Sequence, residues 1–421
     1  MNKSGQASVE SFPSEWVRGN FPALEQGWIL MDNAGGSAPL ARVIDRVTAY
    51  MRRWPVQLGA TYRLSAEAGE LLRASRLTLA KMMACPGGPA PDAGELVLGS
   101  STSSLLSRLA RSVASDLKRD DEIVVTDVDH EANITPWRRL SGEGVRIRTW
   151  HLNQDSRRLE IEDLRPLLNE RTRLVCFTHA SNLLGEATPV EDITALVHSY
   201  GGQVCVDGVA YAPHRPLPVR EWNVDYYVFS LYKVFGPHFA LMYARSELLD
   251  GLRNINHDFM DGTTGAGKLE LGGFPYELLY GAAGVPEYLL ALAEQLGDRE
   301  NIETSWQAIA AHEADLCGHL LQFLDSRSEV EIIGPRHMSP ARLPTVSFVV
   351  NGQRSSLIPP LCEPEKIGIR WGHFYAPRLV ERLGLTGQDG VVRVSMAHYN
   401  TRDEVDALIN TLDTVLDGLR T

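Results

Sequence analysis

Between about residues 95 and 245, short runs of apolar, β-branched and aromatic residues alternate with stretches whose apolar positions recur at helical spacing. The strand-like runs are Glu95–Leu98, Glu122–Thr126, Val145–Trp150, Arg173–Thr178, Gln203–Asp207, Asp225–Ser230 and Phe239–Tyr243. Helical patterns lie between them, at Ser103–Ser115, Ile161–Asn169 and Val190–Tyr200. Strands that are apolar on both faces and spaced by helices predict an α/β fold with a doubly wound, mostly parallel sheet. Phe239–Tyr243 follows its predecessor too closely for a crossover helix, so it is expected to run antiparallel.

The pattern changes near residue 296. A long helix over about Arg299–Asp325 leads into strands Val330–Ile333 and Thr345–Val350, then strand Val391–Ser395 and a last helix from about Arg402. These elements predict a smaller α+β unit with its own sheet. The expected organisation is an arm over 1–25 carrying one short helix, a large domain over 26–295 and a small domain over 296–421. A chain of 421 residues is also too long for one core.

Composition narrows the function classes. A formal net charge of −12 disfavours a nucleic-acid partner, whose phosphates it would repel. No run reaches the roughly 18 apolar residues of a membrane span, and MNKSGQASVESFPSEW lacks the apolar centre of a signal peptide. Five cysteines, Cys85, Cys176, Cys205, Cys317 and Cys362, are scattered with no C-x-x-C pair. That argues against a disulfide framework and a cysteine metal site, and makes the cytoplasm the expected compartment.

In open α/β sheets, ligands bind beyond the carboxyl ends of the strands. There the pattern places Asp207, Ser230 with Lys233 just after it, and the run Gly99-Ser100-Ser101-Thr102 opening a helix. Each meets a need of pyridoxal 5′-phosphate (PLP). Lys233 supplies an amine for a Schiff base, and the low polarity of Leu231, Val234 and Phe235 keeps part of it neutral. Asp207 supplies a carboxylate to keep the pyridine nitrogen protonated. The helix start offers free N–H groups to a phosphate. Taken singly, the same residues read as a strand-end turn former, a solvated lysine and a helix cap.

DGVAYAPH followed by DYYVFSLYKVFGPH resembles the class V aminotransferase family, in its cysteine desulfurase and selenocysteine lyase-like branch. MDNAGGSAP, TDVDHEANITPW, HASNLLGEATPV and VRVSMAHYNTRDEVD extend the resemblance over nearly the whole chain. It implies PLP fold type I, a homodimer with a shared active site, and an amino acid as small-molecule substrate. Lys233 then resembles the Schiff-base lysine, Asp207 the pyridinium partner and His130 the residue that stacks on the cofactor ring; a loop histidine capping the next helix is the alternative for His130. Ser101, Thr102 and Ser230 resemble phosphate ligands. Asn182 resembles the residue near the cofactor's 3′-oxygen and the substrate carboxylate. Arg393 resembles the arginine that binds that carboxylate, a strand-edge surface charge being its alternative.

Several positions depart from the family pattern. The loop form R-x-G-x-x-C-A, whose cysteine takes sulfur as a persulfide, reads here Arg370-Trp371-Gly372-His373-Phe374-Tyr375-Ala376. Ala210 stands for the family's glutamine and Tyr232 for the histidine before the lysine, where it joins the expected cofactor-binding set. Gly272-Gly273-Phe274 lacks the threonine through which a partner subunit reaches the phosphate, with Thr263 and Thr264 as possible substitutes. The expected reaction is β-elimination from a sulfur-containing amino acid, Lys233 taking the α-proton. Transamination and epimerisation like that of isopenicillin N remain alternatives, as does, in another class, a PLP-binding regulatory protein without turnover. No metal is expected.

Overall fold

The computed structural model describes residues 12–84, 88–260 and 265–419. Seven strands form the large sheet: β1 (Leu96–Gly99), β2 (Glu122–Thr126), β3 (Arg146–Trp150), β4 (Thr172–Thr178), β5 (Gln203–Asp207), β6 (Tyr226–Ser230) and β7 (Ala240–Ala244). Their order is β1-β7-β6-β5-β4-β2-β3. Every residue of β1, β2, β6 and β7 is buried, which is why these strands carry unbroken apolar runs. Only β7 is antiparallel to its neighbours, as its short connection requires. The carboxyl ends of the other six therefore share one edge of the sheet.

Four antiparallel strands form the second sheet: β8 (Val330–Ile333), β9 (Thr345–Val350), β10 (Arg370–Gly372) and β11 (Val391–Ser395), in the order β10-β11-β9-β8. Helices Ile302–Ser326 and Arg402–Leu419 contribute Leu316, Leu320, Leu408 and Leu412 to its own apolar core. The chain enters this region early. Ile29–Leu30 pairs in parallel with Ile367–Gly368, and Asp32 bridges to Ser395 at the end of β11. The segment after the arm is thereby fixed against the small sheet.

Several elements differ from the sequence reading. Helix Ile161–Leu164 gives way to a 3-10 turn, Arg165–Leu167, because Pro166 has no N–H to continue the α-helical ladder. Helices Ala41–Arg53, Arg63–Ala80, Tyr276–Ala282 and Gly284–Gln295 were not expected, nor was strand β10. In the arm, Ser14–Arg18 is helical and Pro22–Gln26 forms a 3-10 turn. Among the described residues no helix is long and apolar enough to cross a membrane.

Candidate active site

Lys233 and Asp207 lie at adjacent strand ends. Beyond Ser230 at the end of β6, the 3-10 turn Leu231–Lys233 turns the lysine inward until it is 8% exposed. Its Nζ lies 5.9 Å from the Tyr232 ring centroid and makes no hydrogen bond among the described residues. Burial, aided by the Arg393 charge and opposed by Asp207 and Asp32, pulls its pKa down to about 8. Asp207, the last residue of β5, accepts the Val209 N–H on Oδ1 at 2.9 Å. Burial pushes its carboxyl up to about 6, against that hydrogen bond and the Lys233 charge. The next residue has to be small: a Cβ on Gly208 would stand 2.2 Å from the buried ring of Tyr227.

Both side chains line one cavity with Ser101, Thr102, His130 and Asn182, enclosing about 530 Å³ of space partly open to solvent. A larger cleft, about 1530 Å³ by the same measure, runs beside helix Val190–Ser199 and contains no lysine. Size therefore does not choose between them, and the chemistry of the lining favours the smaller one.

At one end of the cavity, helix Thr102–Val113 begins. The Ser101 hydroxyl caps it, accepting the Ser104 N–H at 3.1 Å, while the Thr102 and Ser230 hydroxyls hydrogen-bond each other at 2.8 Å. Ser101 is thus the cap that its position allows and also lines the cavity. An uncommitted amine, a buried carboxylate and a hydroxyl-rich helix start suit the three polar ends of PLP: aldehyde, pyridine nitrogen and phosphate.

His130 caps the turn that follows it and also lines the cavity. Its Nδ1 accepts the Ala132 N–H at 3.1 Å, capping the short 3-10 turn Glu131–Asn133, and its ring lines the cavity. Burial and the Lys233 charge pull its pKa to about 4, so a neutral ring carries its proton on Nε2. Sequence reasoning passed over the adjacent Asp129. This buried carboxylate accepts from the Thr126 hydroxyl, from Asn133 Nδ2 at 2.6 Å and from the Thr178 N–H at 3.0 Å. It ties the His130 turn to the end of β4, where Thr178 is the register partner of Asp207. Burial first, then the Asp207 charge, pushes Asp129 up to about 7 despite these bonds.

Arg393, Asp32 and Phe374 are not among the residues that line this cavity; they form a cluster beside it, joined to it through Asn182. Arg393 on β11 is 1% exposed, so it is no surface charge. It donates to Asp32 Oδ1 at 2.7 Å and to the Asn182 carbonyl at 3.2 Å, and its guanidinium lies 3.8 Å from the Phe374 ring centroid. Asn182 Nδ2 in turn donates to the Phe374 carbonyl at 2.9 Å. Phe374 and Tyr375 hold positive φ values of 47° and 59°, uncommon for bulky side chains. The Tyr375 carbonyl accepts the Glu131 N–H at 2.8 Å, and its ring stacks on His130 at 5.1 Å while remaining 66% exposed. Asp32 and Arg370 were not singled out from sequence, although both fall inside quoted motifs.

The other departures have definite places. Ala210 and Tyr232 line the cavity, Tyr232 stacking on His238, whereas Tyr211 turns away to stack on His179 at 3.5 Å. Cys362 ends helix Ile358–Cys362, fully buried, and burial pushes its thiol up to about 11. Cys176, Cys205 and Cys317 are buried as well. Cys85, Thr263 and Thr264 lie outside the described residues. Among the described residues no cluster of His, Cys, Asp or Glu could hold a metal ion.

Residues 29–408 match the family described as aminotransferase class-V. The chain is 39% identical to an aminotransferase-like protein of Gibberella zeae over 97% of its own length and 100% of that protein. It is 34% identical to a cysteine desulfurase-like protein of Aspergillus flavus, covering 96% of this chain and 90% of the other. The apo structure of a cysteine desulfurase from Thermococcus onnurineus superposes with a TM-score of 0.85 at 25% identity, over 98% of this chain and 100% of that one.

Proposed function

Because this chain belongs to the class V aminotransferase family, a family of PLP-dependent enzymes, we propose that it is a C–S lyase acting on a sulfur-containing amino acid. The observation that carries this reading is the buried, unpartnered amine of Lys233 in one cavity with the carboxylate of Asp207. Lys233 would hold PLP as a Schiff base, Asp207 its pyridine nitrogen, and Thr102, Ser230 and the helix start its phosphate. When bound, PLP supplies the electron sink for breaking the bond between the α-carbon and its hydrogen.

The residues around that centre divide the remaining work. A lysine whose pKa is drawn to about 8 is partly neutral near physiological pH and can take the α-proton as a base. Asp207 is held at one oxygen by Val209 N–H, which fixes the carboxylate against the sheet edge. His130 covers the cavity with a neutral ring whose orientation is set by Ala132 N–H. Arg393 and Asn182 receive the substrate's α-carboxylate. Loss of the β-thiol as the α-proton leaves gives, from L-cysteine and water, pyruvate, ammonium and hydrogen sulfide.

Tyr375 decides the fate of the sulfur. A phenol offers neither the low pKa nor the polarisable atom that takes sulfur from a substrate, and Cys362 is buried with its thiol kept protonated. The sulfur should therefore leave free. The likeness to an aminotransferase-like relative at 39% identity supports transamination as the second reading.

A homodimer belongs to the same proposal. Ile44 and Met51, one above the other on helix Ala41–Arg53, expose apolar surface suited to a partner subunit. The division into units over 26–295 and 296–421, with the boundary ahead of helix Ile302–Ser326, and the cytoplasmic compartment are likewise proposals. Incubating the PLP-loaded protein with L-cysteine and quantifying products tests the reaction. Equal amounts of pyruvate and sulfide are expected; a keto acid that keeps its sulfur would favour transamination, and alanine would contradict elimination.

A further inference from the structure

Arg393 is a nearly inaccessible cation, and such a group needs an anion close by at every stage of its work. Asp32 supplies one at 2.7 Å. The chain on either side of the aspartate is stitched to β11, which keeps the carboxylate within reach of Arg393. Asn33 N–H donates to the Ser395 carbonyl at 3.2 Å, and Ser395 N–H donates to the Met31 carbonyl at 2.7 Å. A substrate carboxylate arriving at Arg393 would then place two anions against one buried cation. Their repulsion would weaken binding unless a second cation stood nearby.

Arg370 is that cation. It is the direct cross-strand partner of Arg393 in the β10–β11 pair, and its Nη1 lies 3.3 Å from the other oxygen of Asp32. Its side chain is 58% exposed, so it adjusts its position without the cost of moving a buried charge. The Phe374 ring lies 3.8 Å from the Arg393 guanidinium carbon and 5.6 Å from that of Arg370. An aromatic ring beside both cations displaces water and strengthens every charge interaction there.

We propose that Arg370 is the charge-balancing residue of the carboxylate subsite, sharing Asp32 with Arg393 so that an incoming carboxylate completes two ion pairs. The proposal rests on Arg393 as the group that receives the substrate carboxylate. Two cations and one anion attract a carboxylate and become neutral on binding it. Without Arg370, Arg393 is already neutralised by Asp32 and has little attraction left. Arg370 is on this account a positioning residue and an affinity determinant that need not touch the reacting atoms.

The experiment titrates PLP-loaded protein with L-alanine and, separately, with ethylamine, which lacks the carboxylate. Binding is followed through the cofactor's visible absorbance and by calorimetry. Arg370→Gln should weaken L-alanine about tenfold, the size expected for one unit charge several ångströms away in a half-buried setting, and leave ethylamine unchanged. Arg370→Lys should retain most of the affinity, because the charge remains. Adding Asp32→Asn to Arg370→Gln should restore L-alanine to within about threefold of the parent protein. Unchanged affinity in Arg370→Gln, equal loss for both ligands, or a double variant no better than the single one would overturn the proposal. Arg393→Gln separates the two levels: if L-alanine still binds normally there, the carboxylate reading itself fails. If only Arg393→Gln loses affinity, that reading stands and charge balance falls.

Discussion

The wall of the cavity that carries Lys233 and Asp207 is made of strand ends, whereas the neighbouring cluster of Arg393, Asp32 and Phe374 is made of ion pairs and a loop in uncommon backbone conformation. On the first wall, position follows from the sheet. β5 and β6 are parallel neighbours with Asp207 in register with Val228, so the chain just beyond β6 emerges at the same edge as Asp207, and burial is the largest cause of the pKa shift of both ionisable groups. In the cluster, Asp32 and Arg393 meet although they are 361 residues apart, and each orients the other. A catalytic centre common to a family can rest on the first kind of wall. The second kind can change at single positions while the fold is kept, and the proposed release of free sulfur assigns that effect to Tyr375.

Breaking the first wall should have the largest effects. Lys233→Ala should abolish turnover and leave PLP bound only non-covalently, checked by borohydride reduction and peptide mass spectrometry; an unchanged reducible adduct would remove Lys233 from its role. Asp207→Asn keeps the shape and the Val209 contact but loses the charge. A rate loss of about 10²-fold or more is expected, since each ~1.4 kcal/mol is tenfold. Near-normal turnover would mean that another group holds the pyridine nitrogen.

The second region should yield by smaller steps. Arg393→Lys keeps a charge but loses the fork, so KM for amino acids should rise about tenfold or more. Ligands without a carboxylate should bind the variant as well as they bind the parent, and equal losses for both would make Arg393 structural. A stability change sharpens the contrast. Gly208→Ala drives a methyl group into the Tyr227 ring and should cost about 1–3 kcal/mol in urea unfolding. Gly272→Ala, at positive φ with open space around it, should cost about 1 kcal/mol.

The smallest effect is in pH. Lys233 has a pKa near 8 when folded against 10.5 as a free side chain. Between those values the unfolded chain binds more protons, so the cofactor-free protein should gain stability as pH rises through that window. Urea midpoints of Lys233→Met measured alongside should lack this slope. Identical slopes in both proteins would mean that the lysine is less buried than its position at the end of β6 implies.

The same division governs what could be read from the sequence. Buried strands announce themselves by apolar runs in either kind of sheet, and β2 and β5 of the large sheet and β8, β9 and β11 of the small one match the expected bounds residue for residue. Asp207 and Lys233 were legible because the carboxyl end of a strand is a predictable place. Helices Ala41–Arg53 and Tyr276–Ala282 were not, since each buries its apolar stripe against the other, far along the chain. Arg370 lies on a three-residue strand that has no recognisable pattern of its own. Asp129 looks in the sequence like one more loop acid, because two of its hydrogen bonds are local and the one that ties it to the site comes from Thr178, 49 residues away.

Peptide mass spectrometry of the PLP-loaded protein, incubated with L-cysteine and divided into one portion reduced with borohydride and one alkylated without any reductant, probes both regions at once. One cofactor adduct is expected, on Lys233 in the reduced portion, and no cysteine carrying an added sulfur in the other, with pyruvate and free sulfide in solution. A sulfur adduct on Cys362, lost together with activity in Cys362→Ser, would contradict the lyase reading and identify a desulfurase with a relocated nucleophile.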